Sequence, residues 1–227
     1  MNEAIRNCAG EPGLEALAIE LAEMSRAFYL RGWMLGTSGS VSARTGADPL
    51  SMVVTVSGKD KGALCSADLL HVVDDGKIFN TLGDPKASSE SFYEGRPRPS
   101  GETLVHEAIY RRFESAGAVT HVHTVDNTLC SELAARGELV FEGLEMLKGI
   151  GCWRGDEQVR VPVVENALEI PRLGELVFEA ADAAVPGVLV RGHGIYVWGP
   201  DITRAKRHTE IFEFLFSHAI KARMVGL

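Results

Sequence analysis

The sequence predicts an α/β or α+β fold in which one sheet is covered by helices. Helical periodicity at both ends, short β-branched runs between them, and glycine-rich loops at the joints carry that expectation. Residues 12–33 read as a helix. Leu14, Leu17, Ala18, Leu21, Met24 and Phe28 recur at three- and four-residue steps, with Glu15, Glu20, Glu23 and Arg26 on the other face. Gly36-Thr-Ser-Gly-Ser40 is a loop, followed by short strands near 40–44 and 52–56. Ser57-Gly-Lys-Asp-Lys-Gly62 is a second glycine-rich loop, and 71–79 reads as a hairpin turning at Asp74-Asp75-Gly76. Residues 83–99 form a Pro-, Ser- and Gly-rich loop, after which Ser100 caps a helix running to about Glu114. A strand over 118–122 and a helix over 125–135 follow. A strand near 159–164 precedes a helix over 171–184, with Pro171 in its first turn. The apolar run 187–191 reads as a buried strand. It leads to a long last helix over 202–224, with Ile202, Ala205, Thr209, Phe212, Phe216 and Ala219 as its buried stripe.

Composition narrows the classes of function. A chain of 227 residues with 45% hydrophobic residues buries one substantial core, so one domain is expected. A net charge of −8 offers no basic patch for nucleic acid. It leaves room for a phosphorylated small molecule, because backbone amides and one Lys suffice for a single phosphate. The start of the chain lacks an apolar leader core and no stretch approaches a membrane span, so a soluble cytoplasmic protein is expected. Cys8, Cys65, Cys130 and Cys152 are scattered without a C-x-x-C pair and read as reduced thiols.

The most informative motif is His121-Val-His123 at the end of one apolar run, with Gly192-His193-Gly194 at the end of another. Residues i and i+2 of a strand share a face, so His121 and His123 project side by side. If the two strands share a sheet, three imidazoles converge. Three neutral imidazoles plus an open position make a catalytic divalent site, usually zinc, although imidazole also suits iron, cobalt, nickel or manganese. The flanking glycines let backbone approach closely. The remaining histidines, His71, His106, His208 and His218, read as surface or hydrogen-bonded core residues. Trp153 and Trp198 read as packing or interface residues.

The ordered motifs Gly-Thr-Ser-Gly-Ser, Ser-Gly-Lys-Asp-Lys-Gly, Pro-Ser-Gly-Glu-Thr, His-Val-His and Arg-Gly-His-Gly resemble the class II aldolase/adducin-head family over nearly the whole chain. Within it, Ser57 to Gly62, Glu145-Met-Leu-Lys-Gly149 and Arg191 to Gly199 resemble the methylthioribulose-1-phosphate dehydratases of methionine salvage. The resemblance implies a three-layer α/β/α domain over 1–227 with one central, mostly antiparallel sheet. It also implies one Zn²⁺ per chain on His121, His123 and His193. As a hydro-lyase, the protein is expected to convert 5-methylthioribulose 1-phosphate to 2,3-diketo-5-methylthiopentyl 1-phosphate.

The alternatives are a fuculose- or ribulose-phosphate type aldolase or 4-epimerase, and a non-catalytic adducin-like interaction module. Two carboxylates match acid/base positions: Glu145 that of the dehydratases, Glu102 that of the aldolases. Gly39, Ser40, Ser57, Gly58, Ser100 and Gly101 match positions around the substrate phosphate, and Lys59 is positioned in sequence to add charge. The resemblance further implies a homotetramer. Tyr196, Val197 and Trp198 follow the third histidine, and Phe212, Phe214, Leu215 and Phe216 offer apolar surface for a neighbour.

Overall fold

The computed structural model describes residues 12–73, 78–80 (backbone only), 97–134 and 136–226. The expected turn at Asp74–Gly76 and most of the 83–99 loop lie outside the described residues, as does Cys8. The chain forms two compact units, residues 1–103 and 104–227.

In the first unit, helix α1 (Pro12–Leu30) buries Leu14, Ala18, Leu21, Met24 and Phe28, the face its apolar spacing anticipates. It packs on strands β1 (Ser40–Ala47), β2 (Leu50–Thr55) and β3 (Leu69–Val73). With β4 (Ile78–Asn80) these are ordered β4-β3-β2-β1, antiparallel throughout. Residue 56 forms an isolated antiparallel bridge with Pro99, which returns the chain beside the end of β2. A 3₁₀ turn, Lys61–Ala63, follows the second glycine loop. Asp60 caps it by accepting the Gly62 N–H at 2.9 Å.

In the second unit the strands are β5 (Ala118–Val122), β6 (Glu138–Phe141), β7 (Val159–Val164), β8 (Gly187–Val190) and β9 (Gly194–Gly199). Their order is β5-β9-β8-β7-β6, antiparallel except for the β7–β8 pair. The helices are α2 (Thr103–Arg112), α3 (Val125–Leu133), α4 (Ile170–Ala180) and α5 (Ile202–Met224). Every residue of β5, β8 and β9 is buried, as central strands covered on both faces require.

Two strands depart from the sequence expectation. β6 was not anticipated, and neither was β9, which inserts between β5 and β8. His193 therefore sits at the tip of a β8–β9 hairpin rather than at the free end of the strand that precedes it. The helices over 171–184 and 125–135 are shorter than their apolar patterns suggest, ending at Ala180 and Leu133. On α5, Phe212, Leu215 and Phe216 are buried, and of the expected neighbour-facing cluster only Phe214 is exposed. Trp198 is packed and Trp153 is not. No described helix is long and apolar enough to cross a membrane. Cys65, Cys130 and Cys152 are free thiols.

Candidate metal centre and anion loops

His121 is fully buried on β5, opposite Tyr196 of β9 in the sheet register. Its Nδ1 lies 3.1 Å from the Ile195 carbonyl oxygen. A carbonyl only accepts, so Nδ1 carries the proton and Nε2 presents a lone pair. Backbone pairing of β5 with β9 thus selects the tautomer. The Tyr196 ring stacks on the imidazole at 4.0 Å and 9°, and His106 of α2 meets that tyrosine edge-on at 6.2 Å. His123 lies one residue beyond β5, with its Nε2 2.7 Å from His121 Nε2. The His193 ring centroid is 4.9 Å from that of His121 and 4.8 Å from that of His123.

The ligand nitrogens of the three histidines all lie within 4.8 Å of one another. A tetrahedral zinc site with Zn–N near 2.0–2.1 Å has N···N edges of roughly 3.3 Å, inside the range spanned here. Burial, reinforced by His193, lowers His123 to about 4. Burial, then His123 and His193, lowers His121 well below the usual imidazole range. Both are neutral at pH 7, the form that binds metal. The donor set fits a divalent ion with an open position, and no carboxylate among the described residues belongs to the cluster.

The two glycines flanking His193 serve different ends. A Cβ on Gly194 would sit 2.5 Å from the Val122 carbonyl oxygen and 2.7 Å from His123 Cδ2, so only hydrogen fits there. Gly192 has room around it. It is demanded by its φ of +62°, which side-chain-bearing residues rarely adopt.

The turns carrying His123 and His193 are both fastened to α3. Thr124 caps its N-terminus, accepting the Asn127 N–H at 2.9 Å. The Thr124 hydroxyl donates to Glu213 Oε2 (2.7 Å), and Asn127 Nδ2 donates to Glu213 Oε1 (2.8 Å) and to the Val122 carbonyl (3.3 Å). Glu213 comes from α5 and is buried, and desolvation raises its carboxyl to about 7 despite those two donors. At the other end of α3, the Arg191 guanidinium donates to the Ser131 and Ala134 carbonyls at 2.6 and 3.1 Å. The Gly192 N–H donates to the Ser131 hydroxyl at 2.9 Å. Sequence reasoning missed Glu213 because it lies within an apolar helical stripe. A carboxylate inside such a stripe was the available signal.

Glu145 opens a 3₁₀ turn, Glu145–Ile150, that packs on α5. Its side chain is 82% exposed and pairs with Lys148 at 2.8 Å. A shallow pocket of about 70 Å³ surrounds it, lined also by Leu144, Cys152, Trp153 and Arg154.

The residues expected at a phosphate lie in the first unit and come together there. Ser57 N–H donates to the Arg98 carbonyl at 2.8 Å, and Ser100 N–H donates to the Thr55 carbonyl at 2.9 Å. These bonds flank the 56–99 bridge and set the Ser57 loop beside Ser100 and Gly101. The Ser100 hydroxyl accepts the Glu102 N–H at 3.3 Å. Gly39 and Gly58 hold positive φ (+76° and +71°), as does Thr37 (+67°). Ser40 is buried at the start of β1, while Ser57 and Gly58 are exposed. Lys59 points to Asp68, which raises its pKa through a hydrogen bond, so its charge is already answered. Lys61, two residues on, is buried and bridges the two glycine loops. Sequence reasoning passed it over because lysines are rarely buried.

The second unit thus carries a three-imidazole cluster suited to a divalent ion, and the first unit by itself carries serine–glycine loops suited to an anion. The chain belongs to the class II aldolase and adducin N-terminal domain family, whose model matches residues 19–220. It is 40% identical over 203 residues to a methylthioribulose-1-phosphate dehydratase of Geobacillus thermodenitrificans (strain NG80-2), covering 89% of this chain and 90% of that protein. The enzyme of that name from Bacillus subtilis (strain 168) is 38% identical over 205 residues, covering 90% and 92%. An L-fuculose 1-phosphate aldolase has the same fold, with a TM-score of 0.73 and 19% identity over 93% of this chain and 88% of that one. So does a sugar-phosphate aldolase from Thermotoga maritima, with a TM-score of 0.67 and 17% identity over 95% and 98%. The α/β fold expected from the sequence is the fold of these relatives.

Proposed function

We propose that this protein is a hydro-lyase that dehydrates 5-methylthioribulose 1-phosphate to 2,3-diketo-5-methylthiopentyl 1-phosphate in methionine salvage. The observation that carries this reading is the convergence of His121, His123 and His193 in a chain about 40% identical to dehydratases of that name. It also opposes the reading as an interaction module, which needs no such centre. Both units belong to one family domain over 1–227 in this reading, because the family match runs through both.

His121, His123 and His193 would hold one divalent ion, zinc by donor type, which would supply Lewis-acid polarisation of the substrate carbonyl. Glu145 takes the proton from the carbon alpha to the carbonyl and returns a proton to the next hydroxyl, which leaves as water. The resulting enol tautomerises to the diketone. Glu102 is the alternative acid/base, and its use would fit aldol cleavage better than elimination. Gly39, Ser40, Ser57, Gly58, Ser100 and Gly101 hold the phosphate through amides and hydroxyls. The enzyme acts in the cytoplasm as a homotetramer.

Purified protein loaded with zinc is assayed on methylthioribulose 1-phosphate, fuculose 1-phosphate and ribulose 5-phosphate. Diketone formation from the first alone is expected, and aldehyde release from fuculose 1-phosphate or C4 epimerisation of ribulose 5-phosphate would overturn the dehydratase reading. Glu145→Gln lowers turnover by about 10²–10⁴ with metal retained. A loss of that size in Glu102→Gln and not in Glu145→Gln would move the acid/base role to Glu102.

A further inference from the structure

Lys61 is 1% exposed and lies where the two glycine-rich loops meet. Its Nζ donates to the Thr37 carbonyl at 2.9 Å, in the first loop, and to the Lys59 carbonyl at 3.1 Å, in the second. Both partners are neutral carbonyl oxygens. Among the described residues, no carboxylate stands within ion-pair distance of this ammonium. Asp60, its sequence neighbour, exerts a weaker pull than the burial that lowers the lysine's pKa. Asp60 is also committed to capping the Gly62 N–H. A buried ammonium with carbonyl partners and no counter-ion is costly, and proteins seldom keep one without an anion to answer it. Lys59 differs in having a carboxylate partner, Asp68.

We propose that Lys61 is the cation of an anion subsite formed by loops 36–40 and 57–62, and that the phosphate dianion of the substrate supplies its counter-charge. The proposal rests on the reading of these loops as phosphate-binding and replaces Lys59 by Lys61 as the charged member. The ammonium does two things. It ties the loops together through Thr37 and Lys59, which orders the amides around Gly39 and Gly58. It also leaves a net positive charge beneath those amides, where a dianion gains more than it would from amides alone.

Steady-state kinetics on the zinc-loaded protein, with inorganic phosphate as competitive inhibitor, test this. Lys61→Met keeps the stem and removes the charge. It is expected to raise both KM for the phosphorylated substrate and the phosphate Ki by roughly 10–100-fold, with kcat within a few-fold. Lys61→Arg restores most of the affinity, and Lys59→Met changes either constant by less than threefold. A lower Tm in Lys61→Met with KM and Ki unchanged would show a merely structural clamp and overturn the proposal.

The wild-type protein, labelled with ¹⁵N-lysine, gives a reading independent of whether Lys61→Met folds. The Nζ signal missing from Lys61→Arg moves on phosphate addition, with the midpoint of the inhibition curve. An unmoved signal overturns the proposal. Ser57→Ala separates the two ideas. If it raises the phosphate Ki and Lys61→Met does not, only the lysine assignment fails. If wild type shows no phosphate inhibition and Ser57→Ala no effect, the phosphate reading of the loops has failed.

Discussion

Gly194 shows how tightly the three-histidine cluster is fitted at the level of single atoms. With a Cβ position 2.5 Å from a backbone oxygen and 2.7 Å from the His123 ring, Gly194→Ala must displace that ligand. Its affinity for zinc, measured against a competing chelator, is expected to fall at least 10–100-fold with circular dichroism unchanged. Unaltered affinity would mean that His123 does not ligate. His106 sets a second expectation, for pH. Burial lowers its pKa to about 3, against 6.5 in the unfolded chain. Between those values the unfolded chain takes a proton that the native protein refuses. Its contribution to stability is therefore complete above pH 6.5 and is lost as the pH falls toward 3, at about 1.4 kcal/mol per unit of separation. Stability between pH 7 and pH 4.5, by urea denaturation, should fall more steeply in wild type than in His106→Asn. Parallel curves would refute this.

At this scale the clustering of His121 and His123 was legible, because the i, i+2 spacing along an extended chain is one that geometry interprets directly. Lys61 and Glu213 were not. Each is a charged residue type buried by contacts from distant segments; the apolar stripe around Glu213 marks its burial, and neither local pattern names the partners.

Helix α3 joins the two turns that carry His123 and His193, and α5 secures it. Thr124 at its start follows His123 directly, and the turn holding His193 is bonded to its last carbonyls through Arg191. Glu213 of α5 receives a hydrogen bond from the half-buried Thr124 and another from the buried Asn127, so losing its carboxyl takes an acceptor from both donors. Glu213→Ala is expected to cost about 2–4 kcal/mol by denaturant unfolding. Glu213→Gln should behave differently with pH. The native carboxyl titrates near 7 and the unfolded one near 4.5, so its proton stabilises the fold fully below 4.5, an effect lost as the pH rises through 7. Glu213→Gln therefore gains stability relative to wild type between pH 5 and pH 7.5, and a constant difference across that range would show an ionised native carboxylate.

The helices were the most legible elements, α5 to its ends, because their apolar periodicity runs for several turns. β9 escaped notice although Gly192 and Gly194 separate two apolar β-rich runs, the pattern of a hairpin. A histidine between two glycines reads equally as a strand end and as the turn on which it sits. β6 escaped because Glu138-Leu-Val-Phe141 is short and flanked by polar residues.

The molecule as a whole leaves its acid/base candidate in the open. Glu145 is 82% exposed and Trp153, lining the same shallow pocket, is 71% exposed. Proton transfer at carbon is helped by exclusion of water, and one chain alone does not exclude it at Glu145. A large aromatic such as Trp153 is costly to leave in water, and a second copy of the chain covering it and Glu145 would remove that cost. In the proposed homotetramer, subunit contact therefore bears on catalysis as well as on mass. Light scattering at micromolar concentration is expected to give four times the 24.6 kDa chain mass. Trp153→Glu places a charge where the partner would lie and should shift the mass toward smaller species, with kcat falling in step and zinc content unchanged. A monomeric wild type with full activity, or a dissociated Trp153→Glu that keeps its kcat, would show that each chain shelters its own active site.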